Sequence, residues 1–255
     1  MRKATLQQYL QIGNMIESGA IDRIRSESNG EPEGAHPYRN APSNSSDVRQ
    51  EVIEFFTPLS DADVPEQYQA SLAKYRREAT DHPQPVPTTA PICFEMHHGF
   101  TLKTHAPKLG PCYENYRYLQ NWNFPDEATS DGLVFWVPRI VKGGTSKTAN
   151  KQQELLDILH DKLELPAHHM NGFGQVGMVA GLILAHFKAT GERIPLNGYW
   201  VRTDTCRADG SRLYLGKFDD AGLHCSGWDY DGSAYGNVGV FALGVEALGS
   251  SVTRP

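Results

Sequence analysis

The chain has no run of lysine or arginine, no long uninterrupted apolar stretch and no close pair of cysteines, and each absence excludes something. With 24 Lys+Arg against 30 Asp+Glu the formal charge is −6. Electrostatically driven nucleic-acid binding needs a basic face, so no nucleic-acid partner is expected. The longest apolar stretch, Val176 to Phe187, is too short to span a bilayer and is interrupted by Gly181 and His186. Met1-Arg2-Lys3 is basic, but Ala4 to Gln11 forms no apolar leader core. The expectation is a cytoplasmic chain with no membrane partner. Cys93, Cys112, Cys206 and Cys225 contain no C-x-x-C pair, which speaks against a structural zinc site and for free buried thiols.

Catalytic patterns are missing in the same way. There is no G-x-S-x-G elbow and no cysteine in an evident activating setting. No H-E-x-x-H or i, i+4 histidine pair occurs; His97-His98 and His168-His169 are adjacent, so their rings diverge, and His186 reads as a satisfied core histidine. Lys142 to Thr148 sits where a phosphate loop belongs, yet Val141 and Ser146 stand where the two required glycines would be, so a turn ending in a helix cap is the better account. Asp229-Tyr230-Asp231-Gly232 has a calcium-loop flavour. As an EF-hand it would put Gly227 and Val238 at ligand positions, which leaves only a weak surface calcium site open. Asp219-Asp220 is a solvated turn before it is a catalytic pair. No acid, base and orienting group come together, so neither a catalytic centre nor a bound metal or cofactor is expected.

What is present supports a packed core, because 39% of residues are hydrophobic and 10% aromatic. The pattern is α+β. Leu6, Leu10 and Met15 predict a first helix, residues 29–46 a Gly/Pro/Asn/Ser-rich linker, and Asp47 the cap of a helix through Val52, Ile53 and Phe56. A helix over Pro65 to Arg77 follows, then Asp81 to Pro87, whose prolines forbid regular structure and predict a boundary between an N-terminal region (1–85) and a second domain (86–255). In the second domain Ile92–Phe94, Phe100–Lys103 and Leu133–Val141 predict strands, the last broken or at an edge because of Pro138. Asn150–Lys162 predicts a helix burying Leu155, Leu156, Ile158 and Leu159. Phe173–Thr190 predicts another, stopped by Gly191.

From Tyr199 the period changes. Tyr199–Thr203, Arg212–Phe218, Gly222–Ser226 and Asn237–Val245 read as short strands separated by turns. Tyr199-Trp200 and the run His224 to Asn237 mix Tyr and Trp with Ser, Gly, Asp and Asn. That composition combines rigid amphipathic contact area with adaptable hydrogen bonding, as binding loops do.

Phe135 to Pro138, Leu163 to Pro166, Thr190 to Arg193, Gly198 to Thr203, Arg212 to Gly216 and the closing Val238 to Val245 together resemble the C-type-lectin-like variable proteins of diversity-generating retroelements, whose fold is of the formylglycine-generating-enzyme type. The resemblance covers residues 90 to 250. It implies short twisted antiparallel strands with two helices, a variable segment near residues 199–245 and a final framework strand. It also implies a non-catalytic, hypervariable surface for an unknown protein or glycan, carried by loops Asp204–Arg207 and His224–Tyr235. On that basis the expected contact residues are Trp200, Arg202, Asp204, Cys206, His224, Ser226, Trp228, Asp229, Tyr230, Asp231, Ser233 and Tyr235. Two alternatives stay open. One is a copper- or calcium-assisted enzyme using Cys206, Cys225 and nearby histidines. The other is a viral or phage structural component, with residues 1–85 as a homo-oligomerisation segment.

Overall fold

Leu133 to Val137 is apolar without alternation, which a strand requires when both of its faces are covered. In the computed structural model, which describes residues 55–165, 172–196 and 198–247, that run lies inside β3 (Gly132–Ile140). Leu133, Phe135 and Val137 face one hydrophobic cluster, and Val134 and Trp136 face another. β3 is the centre of a four-stranded antiparallel sheet in the order β1 (Phe56–Leu59), β2 (Cys93–Met96), β3, β8 (Phe241–Glu246). Pro138 therefore does not sit on an edge strand. It lies where the β3–β8 register shifts between Trp136 and Ile140, so the ladder is broken at the residue that cannot donate.

Helix α1 (Gln69–Asp81) covers one face of this sheet, with Tyr75 stacked on Phe135 at 5.8 Å. It is joined there by α3 (Ala149–Leu163), whose Leu156, Leu159 and Leu163 are buried. Ile158, expected on that side, is 66% exposed, because a residue two positions from Leu156 points to the far side of the helix. On the other face lies α4 (Val176–Thr190), apolar all round and ended by Gly191 at φ 73°. Its Gly181 has a specific role: a Cβ there would lie 2.2 Å from the ring of Phe56, so glycine is what lets β1 settle on α4.

Phe56, expected in a helix, thus opens a strand, and residues 56–81 share the core of the second region. The boundary expected near Asp81–Pro87 is corrected accordingly, since β1 pairs with β2 across it and the chain divides instead at Ser43/Asn44. The Phe100–Lys103 strand is also corrected. Leu102 begins α2 (Leu102–Leu109), and the Asp126 carboxylate accepts hydrogen bonds from Leu102 N (2.8 Å) and Lys103 N (3.0 Å). A cap supplied from 24 residues away leaves no local trace. The helices expected near Leu6 and Asp47, the 29–46 linker and His168-His169 lie outside the described residues. No helix among the described residues is long and apolar enough to cross a membrane.

The second sheet has the order β6 (Gly222–Asp229), β5 (Arg212–Asp219), β4 (Trp200–Cys206), β7 (Val238–Gly239), with β7 parallel to β4 and the rest antiparallel. Its inner face, with Val201, Leu213, Leu215, Leu223 and Cys225, packs on the cluster around α4. The chain leaves β3, passes α3 and α4, builds this sheet and returns as β8 to pair with β3. β6 is an edge strand, and edges invite unwanted pairing. Here the Tyr118 hydroxyl donates to Cys225 O (2.8 Å) and accepts from Cys225 N (3.1 Å), and Leu223 N donates to Pro111 O, so the edge is covered.

Candidate ligand-binding surface

The outer face of the second sheet carries aromatic side chains because alternation puts Trp200, Tyr214 and Trp228 on the side away from the core. Trp200 meets Tyr214 edge-on at 6.1 Å, Tyr214 meets Trp228 at 5.3 Å, and Trp228 meets Tyr235 edge-on at 4.6 Å. The row runs from buried to exposed: Trp200 and Tyr214 are buried, whereas Trp228 is 41%, Tyr235 37% and Tyr230 55% exposed. A glycine makes the inner end possible, since a Cβ on Gly216 would lie 2.2 Å from Tyr199 O and 3.0 Å from the Trp200 ring. The exposed large apolar side chains among the described residues are these three, Tyr199 and Ile158, so all but one belong to this sheet or its loops.

Residues 230–237 form no strand, yet they are held at both flanks. Asp231 pairs with the Arg212 guanidinium through Nε and through Nη2 (3.0 Å), and its carbonyl accepts from Ala149 N at 2.9 Å. Tyr235 O accepts from Ser146 N at 2.9 Å, and Asn237 O from Trp200 N at 2.8 Å. Ser233 N donates to Tyr230 O within the loop, and Ser233 O accepts from Arg202 Nη2 at 3.4 Å. A loop ordered before binding loses less conformational entropy when it binds.

Of the twelve expected contact residues, the structure groups Trp228, Tyr230, Asp231, Ser233 and Tyr235 on or beside this loop. Trp200 and Arg202 are corrections: both are buried and form the floor of the surface rather than its contact layer. Asp204 is half-buried; its carboxylate accepts from Gly174 N (2.9 Å) and lies 3.7 Å from Arg212 Nη1, so it braces the framework. The half-buried Cys206 thiol donates to Asp204 O at 3.7 Å. Ser226 pairs with Tyr214 across the strands, and Asp229 closes β6 opposite Arg212. His224 lies further back along β6, stacked on Tyr113 at 4.1 Å and 3.6 Å from Asp219. Burial holds its ring below the usual histidine range despite the opposing Asp219 carboxylate.

Arg212 was not among the expected contacts. It joins Asp204 and Asp231 and lies over the Phe173 ring at 5.4 Å, but those partners are scattered along the chain and nothing local announces them. The Arg212 guanidinium holds the Asp231 carboxyl below the usual carboxylate range, partly opposed by burial. A depressed folded-state value means that this contribution is complete above the ordinary aspartate value and is lost as pH falls through the depressed one. The near-UV circular dichroism of the Trp228–Tyr235 pair is therefore expected to hold down to about pH 4 and fall below it. Asp231→Asn should show the acid-like signal already at neutral pH. A neutral-pH spectrum unchanged in that variant would remove Arg212–Asp231 as the anchor.

The four cysteines are free thiols. Burial pushes Cys93 and Cys112 up to about 12 and raises Cys225 further, which suppresses the thiolate a nucleophile needs. Cys206 and Cys225 lie on β4 and β6 with β5 between them and do not form a pair. Among the described residues no three His, Cys, Asp or Glu side chains cluster as metal ligands would. The Lys142–Thr148 segment is a turn whose Thr148 side chain caps α3 by accepting from Lys151 N. His186 is buried against Trp136 and lowered to about 4, first by burial and then by Arg139; its Nδ1 has no hydrogen-bond partner among the described residues, so it is buried but not fully satisfied there. Compared with protein-family models, curated proteins and solved structures, the chain matches none, and the site rests on its own geometry.

Proposed function

We propose that this protein is a non-catalytic binding protein of C-type-lectin-like fold, presenting Trp228, Tyr230 and Tyr235 to a protein or glycan ligand. The observation that carries the reading is the exposure of Tyr230 and Tyr235 on a loop tied down at both flanks, beside the exposed Trp228 at the end of β6. Aromatic anchors supply most of the affinity in such surfaces, and Asp231 and Ser233 add polar groups beside them. β8, which closes the described chain, stands where variable proteins of diversity-generating retroelements would carry their final framework strand, whereas the described part of residues 90–250 holds three helices, α2 to α4, in place of the two the resemblance implies. In such a protein the variable segment spans about residues 199–245, with residues 224–237 as its candidate contact run and β8 as the final framework strand.

The test compares the native chain with Trp228→Ser/Tyr230→Ser/Tyr235→Ser against a glycan array and a displayed protein library. Because all three side chains are exposed, the variant is expected to keep its melting temperature within a few degrees. It should lose the native chain's binders, each anchor contributing about 2 kcal/mol or more. Binders retained in full by the triple variant would sink the proposal. The retroelement link has its own check in the genome: a neighbouring reverse transcriptase, and a near-copy of the codons for about residues 200–245 that differs at adenines.

A further inference from the structure

A second concavity lies between the segment after α1 (His82 to Gln84), the end of β3 with the turn that follows it (Arg139 to Thr145), and Ile194, Pro195 and Tyr199. Its volume is about 260 Å³, the size of a small organic molecule. Arg139 and Lys142 line it, and among the described residues no acidic side chain does. Arg139 donates from Nε to Gln84 O (3.1 Å), from Nη1 to Pro138 O (2.8 Å) and from Nη2 to Pro85 O (3.5 Å). A guanidinium has five N–H groups, so with respect to the described residues one N–H on each terminal nitrogen is left over as a donor. All three acceptors are neutral carbonyls; Glu192 acts on Arg139 only from beyond ion-pair distance. Lys142 is exposed and makes no ion pair among the described residues.

The remaining wall is apolar, formed by Ile140, Ile194, Pro195 and the ring of Tyr199. The walls are also fixed in place. His82 Nδ1 accepts from Gln84 N (3.0 Å) while its Nε2 donates to Ile140 O (2.9 Å), and Tyr199 is anchored by N to Leu196 O and by O from Lys217 N. A half-buried guanidinium whose hydrogen-bond acceptors among the described residues are all neutral favours an anion beside it.

We propose that this cavity binds a small carboxylate with a flat apolar body. The carboxylate lies between Arg139 and Lys142, and the body rests on Ile140, Ile194, Pro195 and Tyr199. The site shares no lining residue with the aromatic loop, although the turn that lines it also bonds that loop through Ser146 N to Tyr235 O.

Calorimetric titration with benzoate tests it, with benzamide as the neutral isostere and inorganic phosphate as an anion without an apolar body. Saturable one-to-one benzoate binding is expected in the millimolar range or tighter, with benzamide and phosphate clearly weaker. Lys142→Glu, an exposed change whose melting temperature should match the native protein, is expected to weaken benzoate about tenfold or more. Tyr199→Ser should weaken it about fivefold. Benzoate that fails to saturate, that binds no better than benzamide or phosphate, or that ignores Lys142→Glu in a folded variant overturns the proposal.

Discussion

A chain shortened to begin at Pro83 is expected to lose its cooperative fold. The cut removes β1 and α1, and with them Phe56, Val64, Leu72, Tyr75 and Ala79, all buried. Phe135 loses its stacked partner Tyr75, and α4 loses the ring that Gly181 was shaped to admit. β2, previously flanked by β1, becomes an open edge bearing Phe94 and Cys93. Burial of a large apolar side chain contributes about 1.5–3 kcal/mol, so the loss is about 10 kcal/mol. That is comparable to the whole stability of an ordinary domain, about 5–15 kcal/mol. Circular dichroism should show no cooperative thermal transition for this chain, whereas a chain beginning at Asn44, where the second of the two units starts, should keep the main cooperative transition of the full-length protein. A two-state transition retained from Pro83 would mean that residues 56–81 are an accessory after all. The same comparison sets the terms for the structural-component reading. Any association through the N-terminal region has to be measured on the Asn44 chain by light scattering, because the Pro83 chain would aggregate for a different reason.

Legibility in the sequence tracked the range of the interactions. β4, β5, β6 and helices α3 and α4 were readable because their signals are local: alternation between turns, a threonine cap, a glycine at positive φ. Asn237–Val245, expected as one strand, instead divides into β7 of the second sheet and β8 of the first. β1 was not, since Phe56-Thr57-Pro58-Leu59 is four residues with a proline, and only pairing with β2 makes it a strand. α2 depends on a carboxylate 24 residues downstream. The aromatic composition of the candidate surface was legible, but which aromatic would be floor and which would be contact was not. Trp200 and Trp228 lie on the same face of one sheet, and they differ because β7 and the segment ending at Asn237 lie beside the first while the second projects at an edge strand. Alternation assigns a face; it does not say what covers it.

Gln152 should be a highly sensitive polar position among the described residues. It is fully buried in α3, and its side-chain amide donates to Gly144 O (2.7 Å) and to Val238 O (2.9 Å). One nitrogen therefore clamps the turn after β3 to β7. The residues just beyond these carbonyls hold the binding loop, through Ser146 N to Tyr235 O on one side and Trp200 N to Asn237 O on the other. Gln152→Leu keeps the volume but takes away both donors, and it is expected to cost about 2–4 kcal/mol. Gln152→Glu keeps the shape and brings a carboxylate against two carbonyl oxygens in a buried site, so the carboxyl's folded-state value should rise above its unfolded one near 4.3. A raised acid is penalised only where the unfolded chain would be ionised. Its deficit is therefore small below about pH 4, where a protonated carboxyl can donate to one carbonyl, and grows as pH rises towards the elevated value. Denaturant titrations at pH 4 and pH 7 separate the two variants. The leucine deficit should be the same at both, and the glutamate deficit should widen to exceed it at pH 7, with the near-UV signal of Trp228 and Tyr235 fading in parallel. A glutamate variant as stable as native at pH 7 would show that the two carbonyls find other donors and that the turn does not depend on the clamp.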